Sequence, residues 1–380
     1  MAKGHRRVWL GLAALLAACG NRCASEPEAP AEDSVTGQDE ASAEAEPSEP
    51  AALPEVRPLP ASVLRGVCYA HAYQRGGARG YGSETSRATL ETLRDHQVGS
   101  VSLTPFGFLP SLEAHAIRSA NSVGAGETDE RTRGAIEAAH AIGHSVMLKP
   151  HLWVARGEWR ARLDPAAGWD AFFDSYEPWM VGYARLAAET GVEWLVIGTE
   201  LRSSLGQEAR WRQLIAAIRS VYEGELVYAA NWDAMDAVPF WDALDALGIQ
   251  FYPPVAQDED APLTAMQARL DGYFDRLGEL SREHERPVIF TEIGYRSVTT
   301  AALRPHEWTE HTPDAQLDLD LQRTLYTLFF AEACEHDYVR GVYLWKWFTD
   351  PDSREEGPTG FSPAGKPAAE VMRAAYAPPE

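Results

Sequence analysis

Two glutamates, Glu200 and Glu292, each follow a short apolar run that has the character of a buried β-strand. A pair of carboxyl groups is the minimum equipment for breaking a glycosidic bond: one protonates the leaving oxygen while the other attacks the anomeric carbon, at a separation of about 5–5.5 Å in retaining enzymes. A single strand-end glutamate is more often a structural hydrogen-bonding group. The pair therefore predicts glycoside cleavage, provided that the fold brings the two side chains together.

Polar and aromatic residues also stand at the ends of most other apolar runs. The candidate substrate-binding residues are Lys149 and His151 after the third run, Asn231 and Trp232 after the fifth, Tyr252 at the sixth, Tyr295 after the seventh and Trp345 at the eighth. In a parallel barrel these strand ends meet at the face that carries the chemistry. His71 is a further candidate for contacts with sugar hydroxyls. Because His71, Lys149 and His151 do not form a metal-ligand set, no metal or other cofactor is predicted.

The tryptophans near these ends are candidates for stacking on sugar rings. Trp345 and Trp347 lie two residues apart and would point the same way on a continuing strand, so only one is expected to reach the sugar. We favour Trp345, because aromatic faces suit the apolar faces of pyranose rings. Trp153 and Trp232 are further candidates, for which ordinary packing is an equally good explanation.

The elements that would position these residues alternate between strands and helices. The eight predicted strands cover residues 64–70, 98–104, 145–149, 194–199, 226–230, 248–252, 288–291 and 341–345. The predicted helices cover residues 84–96, 128–141, 169–190, 207–222, 263–284, 315–335 and 367–374, and the connection 240–247 is short. An open doubly wound sheet would usually have fewer strands and a glycine-rich phosphate turn after the first. We therefore predict a single α/β domain, a (β/α)8 TIM barrel, over residues 61–377.

Several of these segments resemble clan A of the glycoside hydrolases. The matching segments are 196–201 (VIGTEL), 251–253 (FYP), 289–295 (IFTEIGY) and 363–368 (PAGKPA), and they are most similar to family 113, known for endo-β-1,4-mannanases. The resemblance implies that Glu200 is the acid/base, that Glu292 is the nucleophile, and that the Tyr252 hydroxyl holds the nucleophile. Lys149-Pro150-His151 also resembles the third strand of that family.

Two positions depart from the clan A pattern. The residue before the acid/base is usually Asn and here is Thr199, and the Arg that often ends the second strand is replaced by the segment 103–106 (LTPF). Both positions bear on recognition at the cleavage subsite. The resemblance therefore implies the reaction class more directly than the identity of the sugar.

The first part of the chain indicates export. Residues 1–18 combine basic residues with an apolar run too short to span a bilayer, as in a signal peptide. Leu16-Ala17-Ala18-Cys19 resembles a lipoprotein cleavage site, which implies lipidation of Cys19 and anchoring in the membrane, and Gly20 favours the outer membrane. Residues 19–60 are rich in Ala, Glu, Pro and Ser, which predicts a disordered acidic tether.

Charge and cysteine content restrict the partners. With 56 acidic and 34 basic residues the formal net charge is −22, which disfavours nucleic acid as a partner. We expect a monomer whose partners are a polysaccharide or oligosaccharide substrate and, through Cys19, the membrane. Cys68 and Cys334 are interpreted as buried free thiols, with a disulfide as the alternative in an exported protein.

Two other classes of function remain open. The first is a surface lipoprotein that binds carbohydrate on the same barrel without catalysis. The second is a structural envelope lipoprotein with no sugar ligand, which would leave the residues at the barrel mouth unexplained. Turnover of a glycoside separates an enzyme from both.

Overall fold

The structure is a computed structural model that describes residues 52–73, 77–124, 126–307 and 315–379. The chain divides into two units, Met1–Ala52 and Leu53–Glu380, and the described residues belong almost entirely to the second. The predicted signal peptide, Cys19 and most of the predicted tether lie outside the described residues. Among the helices of the described ranges, none is long and apolar enough to cross a membrane.

Eight parallel strands close into a barrel. The strands of the chain are β1 (Leu64–Ala70), β2 (Ser100–Leu103), β3 (Phe106–Leu109), β4 (Arg118–Ser119), β5 (Ser145–Leu148), β6 (His151–Val154), β7 (Trp194–Thr199), β8 (Glu225–Asn231), β9 (Ala246–Phe251), β10 (Val288–Ile293) and β11 (Val339–Phe348). The barrel order is β1-β2-β5-β7-β8-β9-β10-β11, and β11 pairs back with β1. The predicted (β/α)8 fold is therefore confirmed, because each of the eight predicted strands corresponds to one barrel strand.

Helices surround the barrel on the outside. They are α1 (Glu84–Leu93), α3 (Asp129–Ala141), α4 (Trp169–Thr190), α5 (Glu208–Arg219), α6 (Leu263–His284), α7 (Leu319–Ala333) and α8 (Ala368–Tyr376), while the one-turn α2 (Ala120–Val123) lies against β3 and β4. In α6, Met266, Leu270, Phe274 and Leu277 recur every three or four residues, and all four side chains are buried. The short connection between β8 and β9 contains only 3-10 turns, at 235–237 and 241–243.

A second, three-stranded sheet was not predicted. It consists of β4, β3 and β6, in that order. The strand β3 follows β2 after Thr104-Pro105, and β6 follows β5 after Lys149-Pro150. A proline has no N–H to donate to the strand ladder, so each long strand is interrupted and resumes beyond the barrel. Because β2 and β5 run toward the mouth, the second sheet lies on the side of the barrel where chemistry is expected.

The folded unit begins before residue 61. Leu59 is completely buried, and its N–H donates to the Ala375 carbonyl at 2.8 Å. Arg65 donates to the Leu59 carbonyl at 2.7 Å. The composition of residues 19–60 predicts a tether that includes this residue, but the buried side chain and the backbone hydrogen bond of Leu59 hold it on α8. Cys68 and Cys334 are free thiols, and Cys68 is buried.

Candidate active site

The carboxyl group of Glu292, near the end of β10, is held at both oxygens. The Lys149 ammonium donates to Oε1 at 2.7 Å, and the Tyr252 hydroxyl donates to Oε2 at 2.8 Å. Only 5% of Glu292 is exposed. Hydrogen bonds that involve an ionised donor are among the stronger ones, so the position of this carboxyl group is tightly defined.

Lys149 lies beneath the site in the barrel interior and is completely buried. Its ammonium also donates to the Thr291 carbonyl at 2.8 Å and to the Cys68 sulfur at 3.4 Å. A buried cation is costly unless it is paired and hydrogen-bonded, and Glu292 supplies the counter-charge. Burial raises the pKa of the Cys68 thiol to about 12, so this cysteine remains a thiol rather than a nucleophile.

Glu200 directly follows β7 and has a φ of 55°, in the left-handed region. Its N–H donates to the Ala229 carbonyl of β8 at 2.9 Å, so the backbone remains attached to the barrel while it turns. The Asn231 side-chain amide donates to Oε1 at 3.0 Å. On the other oxygen, Oε2, the Arg160 guanidinium lies at 2.9 Å and the Trp159 indole N–H donates at 3.4 Å.

Burial and neighbouring charges shift the pKa of Glu200 in opposite directions. Burial raises the pKa, the Arg160 guanidinium lowers it, and the negative charge of Glu292 raises it. Burial is the largest effect, so the pKa of Glu200 lies above its usual value. The two carboxyl groups are linked through β6: Arg160 contacts Glu200 Oε2 and the Leu152 carbonyl, and the neighbouring His151 lies 3.7 Å from Glu292 Oε1. A carboxyl group with a raised pKa is suited to donate a proton.

His151 is a neutral neighbour of this pair. Burial lowers its pKa well below the usual value, and the nearby Arg160 and Lys149 cations act in the same direction. Its Nε2 lies 3.7 Å from Glu292 Oε1. Its ring is parallel to that of Trp345, with 6.2 Å between centroids and 6° between planes. A neutral imidazole beside the site is able to hydrogen-bond a sugar hydroxyl.

The side chains of Trp345 and Trp347 lie on different sides of β11, contrary to the expectation for a regular strand. Trp345 is half-buried and packs with the barrel interior. Trp347 is buried in the outer core, and its ring centroid lies 4.9 Å from that of His96. The reason is a register shift: Leu344 pairs with Val67, but Trp347 pairs with Tyr69. The strand does not continue regularly here, so the expectation that the two rings point the same way does not hold, and the choice of Trp345 as the stacking ring stays a prediction.

Three other candidate residues have partners of their own outside the carboxyl pair. Trp232 is half-buried and packs edge-on against Tyr273 of α6, 5.6 Å between centroids. Tyr295 is completely buried and packs against Tyr326 of α7 at 5.5 Å. His71 accepts the Tyr81 N–H at 3.0 Å, and burial lowers its pKa to about 3. The structure therefore gives each of them a packing or hydrogen-bonding partner outside the pair.

Sequence reasoning missed Trp159 and Arg160, which reach Glu200 from the segment between β6 and α4. This segment contains only 3-10 turns, at 155–157 and 160–162. Arg160 is anchored there, because it also donates to the Leu152 carbonyl at 3.2 Å. Without helical or strand periodicity, the only signal in the sequence is a tryptophan next to an arginine after a strand that ends in candidate site residues.

Comparison with known protein families identifies the family of this chain. The model of Glycoside Hydrolase Family 113 matches residues 67–366. The chain belongs to glycoside hydrolase family 113. The match includes Lys149, Glu200, Tyr252 and Glu292. As a family 113 member the protein is a glycoside hydrolase, and its substrate is a polysaccharide or oligosaccharide.

Solved structures of the same family have the same fold. The β-mannanase AaManA from Alicyclobacillus acidocaldarius, in complex with ManMIm, is 27% identical with a TM-score of 0.73, over 83% of this chain and 97% of that chain. A second family 113 structure, a β-1,4-mannanase complex, is 25% identical with a TM-score of 0.72, over 83% and 98% of the two chains. The family 53 catalytic domain from Ignisphaera aggregans, 15% identical with a TM-score of 0.52 over 86% and 100% of the chains, shares the fold alone. No curated protein matches the chain.

Proposed function

We propose that this glycoside hydrolase cleaves β-linked polysaccharides or oligosaccharides of the β-1,4-mannan type with retention of configuration. Glu200 is the acid/base and Glu292 the nucleophile. The choice of sugar rests on the family 113 relatives, whose described activity is that of β-mannanases. The choice of roles rests on this chain's own contacts.

The observation that carries the assignment is the difference between the two carboxyl groups. Glu292 is held by an ammonium group and a hydroxyl, both of which act as donors, so its oxygens are presented as acceptors in a fixed place. A nucleophile must be ionised and positioned. Glu200 has a pKa raised by burial and by Glu292, which favours the protonated form that a general acid requires.

The proposed reaction has two steps. In the first, a Glu292 oxygen bonds to the anomeric carbon as the glycosidic bond breaks, and Glu200 gives its proton to the leaving oxygen. In the second, Glu200 takes a proton from water, the water oxygen bonds to the anomeric carbon, and the bond to Glu292 breaks. Asn231 orients Glu200 and Tyr252 orients Glu292, while Trp345 and His151 bound the space for the sugar ring.

Replacement of the nucleophile tests this assignment. Glu292→Ala is expected to abolish turnover, and azide is expected to restore activity toward an activated aryl mannoside or mannobioside, because the missing carboxylate leaves room beside the anomeric carbon. The product should be the glycosyl azide of inverted configuration. The control is Glu279→Ala, which removes an exposed carboxylate on α6.

Retained turnover in Glu292→Ala would remove this residue from the mechanism. The identity of the sugar is tested separately, by digestion of glucomannan, galactomannan and manno-oligosaccharides. If the wild-type protein binds these glycans without releasing products, the carbohydrate-binding lipoprotein is the better account.

We further propose that the enzyme is exported, anchored to the cell envelope through lipidated Cys19, most simply at the outer membrane, and monomeric. The support for the anchor is the sequence around Cys19 and the acidic composition of residues 19–60. The charge of −22 supports the monomer, because like-charged chains repel.

A further inference from the structure

The strands β3 and β6 form a small sheet with two different faces. Along one face lie Gly107, Leu109, Leu152 and Val154, all of them buried. Along the other face lie Phe106 and Phe108 of β3 and His151 and Trp153 of β6. The parallel register pairs Phe106 with His151 and Phe108 with Trp153, so the four rings share one surface. We call these four residues the aromatic wall.

The rings of the aromatic wall are in contact with one another. Phe106 is edge-on to His151, with 5.5 Å between centroids and 87° between planes. It is also edge-on to Trp153, at 6.1 Å and 89°, and it lies 6.5 Å from Phe108. Edge-to-face pairs at these separations are favourable, and they hold the rings in fixed orientations.

The aromatic wall begins at the carboxyl pair and ends in solvent. His151 is 1% exposed and lies 3.7 Å from Glu292, with its ring parallel to Trp345. Two residues further along β6, Trp153 is 40% exposed. The row of rings is thus continuous with the site proposed for the reacting sugar and leads outward from it.

The exposure of Trp153 is costly for the folded protein alone. It is one of four large hydrophobic side chains that are exposed in the described ranges, together with Tyr73, Trp159 and Leu317. Burial of an aromatic side chain removes a large apolar area from water and is favourable, so a ring that stays exposed beside a catalytic site is available for a ligand. A ligand with apolar ring faces and hydroxyl edges, such as a pyranose, suits this surface.

We propose that the aromatic wall binds pyranose units of the substrate beyond the unit that is cleaved, so that the enzyme selects chains over short glycosides. This inference rests on the proposed function, because it assumes that the sugar at Glu200 and Glu292 is part of a longer glycan. The aromatic wall would then be a second binding region of the site. The substrate would be a glycan chain of several pyranose units.

The experiment measures the ratio of kcat/KM for mannohexaose to kcat/KM for mannotriose. Removal of one stacking ring in Trp153→Ala is expected to lower this ratio by up to about tenfold. Trp153→Tyr keeps an aromatic ring and should retain most of the preference. Phe108→Ala should lower the ratio as well, while the control Leu317→Ala, at an exposed residue outside the aromatic wall, should not.

The outcomes separate this inference from the proposed function. If the wild type cleaves another glycan series instead of mannan, the same ratio is measured on that series. An unchanged ratio in both Trp153→Ala and Phe108→Ala, with wild-type melting temperatures, overturns the aromatic wall as a binding surface and leaves the carboxyl pair intact. Absence of cleavage of every glycan series overturns the proposed function and this inference with it.

Discussion

At the scale of single residues, Arg160 is the side chain that bears most directly on the chemistry of Glu200. Its guanidinium lies 2.9 Å from Oε2, and both side chains are largely shielded from water. A cation at this distance favours the ionised form, which is the form that the proposed mechanism needs when Glu200 acts as a base toward water. It works against the protonated form needed in the first step. In the proposed mechanism, burial and one arginine therefore balance the two roles of this carboxyl group.

Replacement of Arg160 tests this balance. In Arg160→Met the interaction that lowers the pKa of Glu200 is gone, so the pKa rises and the protonated acid persists to higher pH. The alkaline limb of kcat/KM should move to higher pH, with a smaller movement in Arg160→Lys, which keeps the charge. Arg276→Met, at an exposed ion pair on α6, is the control. An alkaline limb that stays in place or moves to lower pH would show that Arg160 does not set the protonation of Glu200.

Most of the residues around the carboxyl pair could be predicted because each lies at a strand end. The position of Lys149, Asn231 and Tyr252 along the chain follows from strand periodicity, and the barrel brings strand ends together. Periodicity says nothing about segments without regular structure, which is why Arg160 and Trp159 were missed. It also failed at Tyr295, because a residue just beyond a strand end can turn toward a helix and pack there.

At the scale of elements, the count of barrel strands was predictable and the second sheet was not. The barrel strands are nearly continuous apolar runs, as expected for strands buried on both faces. By contrast, β3 and β6 have four residues each and follow a proline, so they look like loops in the sequence. Their pairing depends on the alignment of β2 and β5 beneath them, and no local pattern encodes that alignment.

The closeness of neighbouring barrel strands gives a prediction about stability. A Cβ at Gly248 of β9 would lie 2.4 Å from the Tyr228 carbonyl oxygen of β8, and backbone cannot move away easily. Gly248→Ala should destabilise the protein by about 1–3 kcal/mol or more, measured by chemical denaturation. In Gly272→Ala, the control on α6, the new Cβ meets nothing within 4 Å, and stability should rise by up to about 1 kcal/mol. Equal stabilities of the two variants would contradict the close strand contact.

At the scale of the whole molecule, the catalytic unit and the proposed anchor are separate parts of the chain. The second compact unit begins at Leu53 and the first barrel strand at Leu64, both well after Cys19 in the sequence. If the proposed anchor is present, a tether of charged and small residues would let the barrel reach an extended substrate beyond the membrane surface. Composition predicts an acidic segment over residues 19–60 but not where it ends, because Leu59 within that range is buried against α8.

Replacement of Cys19 tests the anchor. Cys19→Ser should move the protein from the membrane fraction to the soluble fraction, because two acyl chains anchor stably and their loss removes the attachment. The kcat/KM toward a soluble oligosaccharide should stay at the wild-type value, since the barrel is unchanged. Cys334→Ser, which leaves the anchor in place, is the matched control. Wild-type protein in the soluble fraction of its native cells would contradict the proposed lipidation.

In the proposed mechanism Glu200 donates the proton to the leaving group and later serves as the base. The most direct measurement is the turnover of Glu200→Ala with aryl glycosides that differ in the acidity of the phenol. For natural or poor leaving groups the rate should fall by roughly 10²–10⁴-fold, because their departure needs a proton. For acidic phenols the first step should be largely spared and the second slow, which gives a burst of phenol followed by a low steady rate, with the alkaline limb of the pH profile lost. Equal rate losses for good and poor leaving groups, without a burst and with an unchanged alkaline limb, would contradict the assignment of Glu200.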